Sequence, residues 1–200
     1  MKIIVITPPT FLSEEADIIQ RLLDWGVASV HIRKPQSSVE ATDALLSSIP
    51  TAYHSQLVLH DHFNLTARYT LQGIHLNRRN PVMPSFFHGT LSCSCHSLQE
   101  IKARKPHCDY LFLSPIFDSI SKKGYRSAFR QETLAQAAAD AVIDSKVFAL
   151  GGIKKEKLPT LRTLHFGGAV FLGDVWQRIH ADDFKSYILD CVNTRATPSE

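Results

Sequence analysis

Two hundred residues with 44% hydrophobic content suit one globular domain with a core of its own. A formal net charge of +3 and a pI near 8.7 are too mild for a nucleic-acid-binding surface, and the basic residues are scattered, with only short pairs such as Arg78-Arg79. The chain has no run of 18 apolar residues, and its apolar opening, MKIIVIT, meets Pro8-Pro9 too soon for a leader, so neither a membrane span nor a cleaved signal is expected. Cys93, Cys95, Cys108 and Cys191 are too few for a disulfide scaffold and fit a reducing cytoplasm.

In chain order, short β-branched runs alternate with helical stretches. Residues 2–7 (KIIVIT) read as a buried strand. Ser13 is expected to cap a helix with Glu14 and Glu15 in its first turn, Ile18, Leu22 and Trp25 at helical spacing, and Gly26 closing it. Residues 27–33 form a second strand, and Ser37 and Ser38 open a helix through Leu46. Strand three is 56–60, followed by a short helix at 63–69. Strand four is 72–76, leading to a Pro-containing loop without helical period. Strand five begins over 89–93 and leads to a helix at 97–104. Strand six is 109–113, with an Ala-rich helix at 130–142. Strand seven is 146–150, with a helix at 154–161. Strand eight is 168–172, and a last helix lies within 181–192. The polar tail, 193–200, is expected to fray.

Strands separated by helices imply a parallel sheet with right-handed crossovers. Eight such units in residues 1–192 predict a single-domain (β/α)8 TIM barrel with short loops, the runner-up being a doubly wound open sheet.

In such a barrel, chemistry gathers where strands end. Gly151-Gly152-Ile153, between strand seven and a helix, predicts a phosphate cradle, with Gly173 after strand eight supplying its other half. A helix-entry turn explains a glycine pair alone equally well, and it is the position after strand seven, paired with strand eight, that favours the phosphate. His31 and Arg33 share one strand face, and Arg33 is expected to meet either a ligand anion or a carboxylate such as Asp61. His60 and Asp61 follow strand three. The loop from Ser114 to Gly124 carries hydroxyls and Lys122, which suits an anion-clamping flap or a solvated loop. Cys93 and Cys95 alternate on a strand without a second metal-ligand pair, so they read as small hydrophobes rather than zinc ligands. His96, at a strand end before Ser97, is the candidate acid/base, imidazole being the side chain that titrates nearest neutrality.

At these segments the chain resembles the thiamin phosphate synthase and TenI family over nearly its whole length. The resemblance rests on the opening IVIT, His31-Ile-Arg33, His60-Asp61-His62-Phe63-Asn64 and Gly73-Ile-His75-Leu76. It continues through Ser94-Cys-His96-Ser-Leu-Gln-Glu100, Asp109-Tyr110 to Pro115-Ile-Phe117, Lys122, and Ala149-Leu-Gly151-Gly152-Ile153. It implies a TIM barrel that holds a thiazole phosphate on the loops after strands seven and eight, with Ser94 and Lys122 among the ligand-binding residues. The synthase branch joins a pyrimidine diphosphate to thiazole phosphate with Mg²⁺ on the departing pyrophosphate. The TenI branch aromatises a thiazole carboxylate phosphate with a His matched by His96.

The chain departs from the synthase pattern where metal and pyrophosphate should sit. Pro35 replaces a Lys, His60-Asp61 replaces Asn-Asp, and Asn77-Arg78-Arg79-Asn80 replaces a Gly-Gln-Glu-Asp stretch. Asp61 alone is a poor Mg²⁺ site unless substrate phosphates complete it, and Arg78 and Arg79 are placed to substitute for part of the metal's charge. A TenI-like thiazole tautomerase without a cofactor is therefore the first expectation. The alternative is a thiamin phosphate synthase using Mg²⁺ at Asp61, and the third reading is a non-catalytic phosphate-binding barrel. The partners implied are small phosphorylated thiazole and pyrimidine ligands, not nucleic acid or membrane, with homo-oligomerisation left open.

Overall fold

The computed structural model describes residues 1–118 and 129–194. Eight parallel strands close into a barrel in sequence order: β1 (Lys2–Ile6), β2 (Ser29–Ile32), β3 (Leu57–Leu59), β4 (Gly73–Leu76), β5 (Thr90–Cys95), β6 (Tyr110–Leu113), β7 (Val147–Leu150) and β8 (Gly168–Phe171). β1 pairs with β2 through Ile6↔His31 on one side and with β8 through Lys2↔Gly168 on the other, so the open-sheet alternative is excluded. The helices are α1 (Glu15–Asp24), α2 (Val39–Ser48), α3 (Leu98–Arg104), α4 (Gln131–Ala139), α5 (Leu158–Thr163), α6 (Gly173–Trp176) and α7 (Phe184–Asn193). No helix among the described residues is long and apolar enough to cross a membrane.

Most expected elements appear with boundaries moved by a residue or two. Ser38 and Ser97 cap α2 and α3, accepting from Ala41 N–H and Glu100 N–H, and the Glu100 carboxylate reaches back to His96 N–H at 2.8 Å. Ser13 does not cap α1. Glu14 takes the N-cap position without a side-chain bond to the helix backbone, and Glu15 instead turns inward, accepting from Leu12 N–H. The expected helix at 63–69 is only a 3₁₀ turn (Phe63–Ala67), and the one at 154–161 splits into a 3₁₀ turn (Lys155–Lys157) and α5. The four-residue α6 was not expected. Its Trp176 indole donates to Ile6 O at 2.7 Å and ties the end of β8 to the end of β1.

Glu15 turns inward because Lys34 is there. Both side chains are fully buried, with Nζ 2.6 and 2.8 Å from the two carboxylate oxygens and 2.9 and 2.8 Å from the carbonyls of Pro8 and Thr10. Burial pushes the Glu15 pKa up and the Lys34 pKa down, each opposed by its partner. The pair locks the loop after β1 to the end of β2.

Strand alternation divides the core into two zones. Outward residues such as Val30, Leu59, Ile74, Cys93, Cys95, Leu111 and Ala149 belong to the main cluster beneath the helices. The two cysteines thus pack as small hydrophobes, free and buried. Inward, Ile4, Ile6, Tyr110, Phe112, Phe148 and Val170 form the barrel's own filling. The β2–β4 side of that interior is imidazole. His31 Nδ1 lies 2.8 Å from His60 Nε2, and His31 Nε2 lies 2.8 Å from the Tyr110 hydroxyl. His75 stacks on His60 at 4.2 Å and hydrogen-bonds Ser92 and Ser94 through its two ring nitrogens, 2.8 Å each. Burial drives all three pKa values down, to about 3 for His75, so the rings are neutral at physiological pH.

Two predictions follow from these buried groups. An unfolded imidazole takes up its proton near pH 6.5 whereas the folded rings resist it. Their contribution to stability is therefore complete above about pH 6.5 and is lost as pH falls toward the folded values. Each ring should cost up to ~1.4 kcal/mol per pH unit in that window. Urea denaturation between pH 7.5 and 5 should show a decline steeper than one ring supplies, and a flat profile would contradict the neutral-imidazole interior. Separately, Lys34→Met should lower stability by ~3–5 kcal/mol by leaving Glu15 buried without its partner, and adding Glu15→Leu should recover most of that loss. Equal stability of the single and double variants would show that the pair is not coupled.

Candidate active site at the barrel mouth

The closed parallel barrel brings every strand's C-terminal end to one rim. Arg33 is the first residue past β2. His60 and Asp61 follow β3, and His96 follows β5. Gly151 and Gly152 follow β7, while Gly173 opens α6 just past β8. The expected site residues thus collect at one end of the barrel, at differing depths. His31 lies below the rim inside β2, fully buried, and His60 is nearly so. β5 extends through Cys95, so Ser94 stands within the strand, its hydroxyl turned to His75 rather than out over the rim. Lys122 lies outside the described residues.

The glycine pair has a local cause in addition to any ligand. Gly151 and Gly152 have φ of +98° and +63°. A Cβ on Gly151 would lie 2.8 Å from Pro115 Cα, and one on Gly152 would lie 2.4 Å from Asp118 O. The segment after β6 is fastened across them, with Ile116 N–H donating to Leu150 O and Phe117 N–H to Gly151 O at 3.0 and 3.1 Å. Only residues without side chains allow that approach. The result is a tight backbone corner at the β7 end, beside the short helix that starts at Gly173. This is the part of a TIM barrel suited to a phosphate group.

Across the rim, the β2–β4 ends are cationic. Arg33 is half-buried, and burial, reinforced by the neighbouring Arg79 charge and opposed by Asp61, lowers its pKa. Asp61 does not pair with Arg33 as one sequence reading supposed. Arg79 takes it instead: Asp61 Oδ1 accepts from Arg79 Nε and Nη2 at 3.2 and 3.0 Å, and Oδ2 accepts from Nη2 at 3.3 Å. Asn80 Nδ2 donates to the same Oδ1 at 3.1 Å and to His60 O at 2.9 Å. Arg79 was expected only as a stand-in for metal charge, and its pairing with Asp61 has no local sequence signal. His75 was missing from the expected site but was accessible from strand parity, since Gly73-Ile74-His75 puts it on the inner face.

His96 sits between these two regions, exposed, with Nδ1 3.1 Å from Ser114 O and 3.3 Å from Ser114 Oγ. If Nδ1 carries the proton donated to the carbonyl, Nε2 is the basic nitrogen, a suitable arrangement for acid/base work.

The residues present do not fit a resident Mg²⁺. Magnesium takes oxygen ligands in a near-ideal octahedron. Asp61 is the carboxylate available at the β3 end, and both its oxygens already accept from a guanidinium whose positive charge would oppose a second cation. Among the described residues, the one group of three His, Cys, Asp or Glu side chains with ligand atoms within 4.8 Å is His31, His60 and His75. That nitrogen set is wrong for magnesium. The His60 and His75 planes are inclined by only 17°, so their in-plane lone pairs run side by side rather than converging on a point.

Comparison with known proteins agrees with this architecture. The family model described as thiamine monophosphate synthase matches residues 3–172. A thiamine phosphate pyrophosphorylase structure from Bacteroides thetaiotaomicron is 41% identical, superposes with a TM-score of 0.86, and the match covers 96% of this chain and 95% of that one. The thiamine-phosphate synthase of Dictyoglomus turgidum is 25% identical over 157 residues, covering 74% of this chain and 70% of the relative. That of Thermus thermophilus is 28% identical over 160 residues, covering 75% and 76%. A matched span of this extent, carried on a closed (β/α)8 barrel with its polar residues at the C-terminal rim, makes this chain a member of the thiamine monophosphate synthase family.

Proposed function

We propose that the protein is a transferase that joins a pyrimidine diphosphate to a thiazole phosphate and releases pyrophosphate. The observation that carries this reading is the presence of two anion-suited regions on opposite sides of one mouth. The glycine corner and α6 lie at the β7 and β8 ends, whereas Arg33 and Arg79 lie at the β2 and β4 ends, about half a turn around the eight-stranded circle. Two phosphorylated substrates entering one mouth need such a division, with the reacting rings between the two anchors. A departing pyrophosphate gains negative charge as its bond breaks, and fixed guanidinium groups at that end stabilise it without reorganising. The relatives named above are called synthases or pyrophosphorylases, which moves the reading away from the tautomerase first expected.

The tautomerase remains the second reading because of His96. Its Nδ1 is engaged with Ser114 while Nε2 has no hydrogen-bond partner among the described residues. One experiment separates the two. Supplied with both substrates, the protein should form thiamine phosphate and pyrophosphate in equal amounts. Absence of both products, together with isomerisation of a thiazole carboxylate phosphate that slows ~10²–10⁴-fold in His96→Ala, would establish the tautomerase instead.

The β7 corner carries its own test. Gly152→Val places a branched side chain at positive φ against Asp118 O, and the corner must open to receive it. Affinity for thiazole phosphate should fall more than ~10-fold, equivalent to about 1.4 kcal/mol, while the barrel remains folded. Unchanged affinity would remove the phosphate from this corner.

A further inference from the structure

We propose that the β2–β4 side of the mouth binds a diphosphate group through side-chain cations alone, without a divalent metal ion. The proposal rests on the synthase reading for the identity of the diphosphate, but its geometric basis is separate. Arg79 spans the Asp61 carboxylate with three contacts of 3.0–3.3 Å, and Asn80 supplies a fourth donor to the same group. A bare cation would have to displace a guanidinium already neutralising that carboxylate.

What remains around Asp61 is positive. Arg33 and Arg79 are close enough for the charge of one to depress the pKa of the other, and Asp61 compensates only one of them. The Arg33 guanidinium makes no hydrogen bond or ion pair among the described residues, although it is half-buried. Immediately beneath lie His31, His60 and His75, held neutral by burial, which add no negative charge. Two neighbouring guanidiniums over an uncharged floor form a stable arrangement when an anion bridges them, and the fork geometry of Arg suits the oxygens of a diphosphate.

The second cation is also held in place. Asn77 Oδ1 accepts from the backbone N–H groups of Arg79 and Asn80 at 3.0 and 3.3 Å. The N–H groups of Asn77 and Asn80 each donate to the other's carbonyl at 3.1 Å. The side-chain amides of Asn77 and Asn80 both donate to His60 O, at 2.8 and 2.9 Å. This turn is stitched to the end of β3, so Arg79 is presented from a fixed backbone rather than from a loose loop. Fixed cations of this kind supply what a metal otherwise supplies, namely charge that is in position before the leaving group forms.

The test is titration calorimetry of the full chain with inorganic pyrophosphate in excess EDTA, repeated with Mg²⁺, alongside turnover with both substrates under the same two conditions. Pyrophosphate should bind in EDTA, and Mg²⁺ should not tighten it. Arg33→Gln and Arg79→Gln should each weaken binding at least ~10-fold with the circular dichroism spectrum unchanged. The double variant Arg79→Glu with Asn80→Asp, which surrounds Asp61 with oxygens, should lose binding in EDTA and regain it with Mg²⁺. Binding only in the presence of Mg²⁺, or undiminished binding by Arg79→Gln, would overturn the metal-free site. Turnover tells the two claims apart. Pyrophosphate binding in EDTA with no turnover under either condition would sink the synthase reading and leave this site standing. Turnover confined to Mg²⁺ with no binding in EDTA would do the reverse.

Discussion

Closure of the parallel barrel is the constraint from which the rest of the molecule follows. When β8 pairs back onto β1, every strand must send alternate residues into one narrow interior and end at one common rim. The interior is therefore filled by what eight short strands happen to carry, and the rim collects whatever residue comes next. In this chain the first set is aromatic and aliphatic on the β1 and β6–β8 side and imidazole on the β2–β4 side. The second set supplies the polar residues of the mouth.

The two halves of the interior support different parts of the rim. Around β7, a packed hydrophobic filling carries a backbone corner whose glycines are required by the segment that crosses them. Around β2–β4, a hydrogen-bonded stack of neutral rings carries a cluster of two arginines and one carboxylate. Neutral rings are what such a cluster tolerates beneath it, since protonated ones would add to the repulsion between Arg33 and Arg79. The Lys34–Glu15 pair plays a supporting part by fixing the loop after β1 against the end of β2, just beyond Arg33.

The barrel was legible because strand and helix signals are local. β-branched runs of four to six residues, Ser38 and Ser97 as caps, and Gly26 after α1 each announce themselves within a few positions. The rim positions of His96, Gly151 and Gly173 followed from strand ends alone. Long-range partnerships did not show. Glu15 looked like a first-turn acid on a solvent-facing helix, yet it is buried because Lys34, nineteen residues on, points at it. Asp61 looked like a weak metal ligand, and its true partner is Arg79, eighteen residues away on the next loop but one. Ser94, expected among the ligand-binding residues, lies within β5 and turns its hydroxyl to His75, a partnership between strands that no local pattern announces. A sequence shows which side chains carry charge, but the fold decides which charges meet.

A crystal structure of the protein with thiamine phosphate and pyrophosphate bound tests the two anchors on opposite sides of one mouth most directly. The phosphate of thiamine phosphate is expected against Gly151, Gly152 and Gly173, and the pyrophosphate between Arg33 and Arg79 with no metal density at Asp61. Both anions on the same side of the rim, or a metal ion seated between Asp61 and the pyrophosphate, would contradict this arrangement.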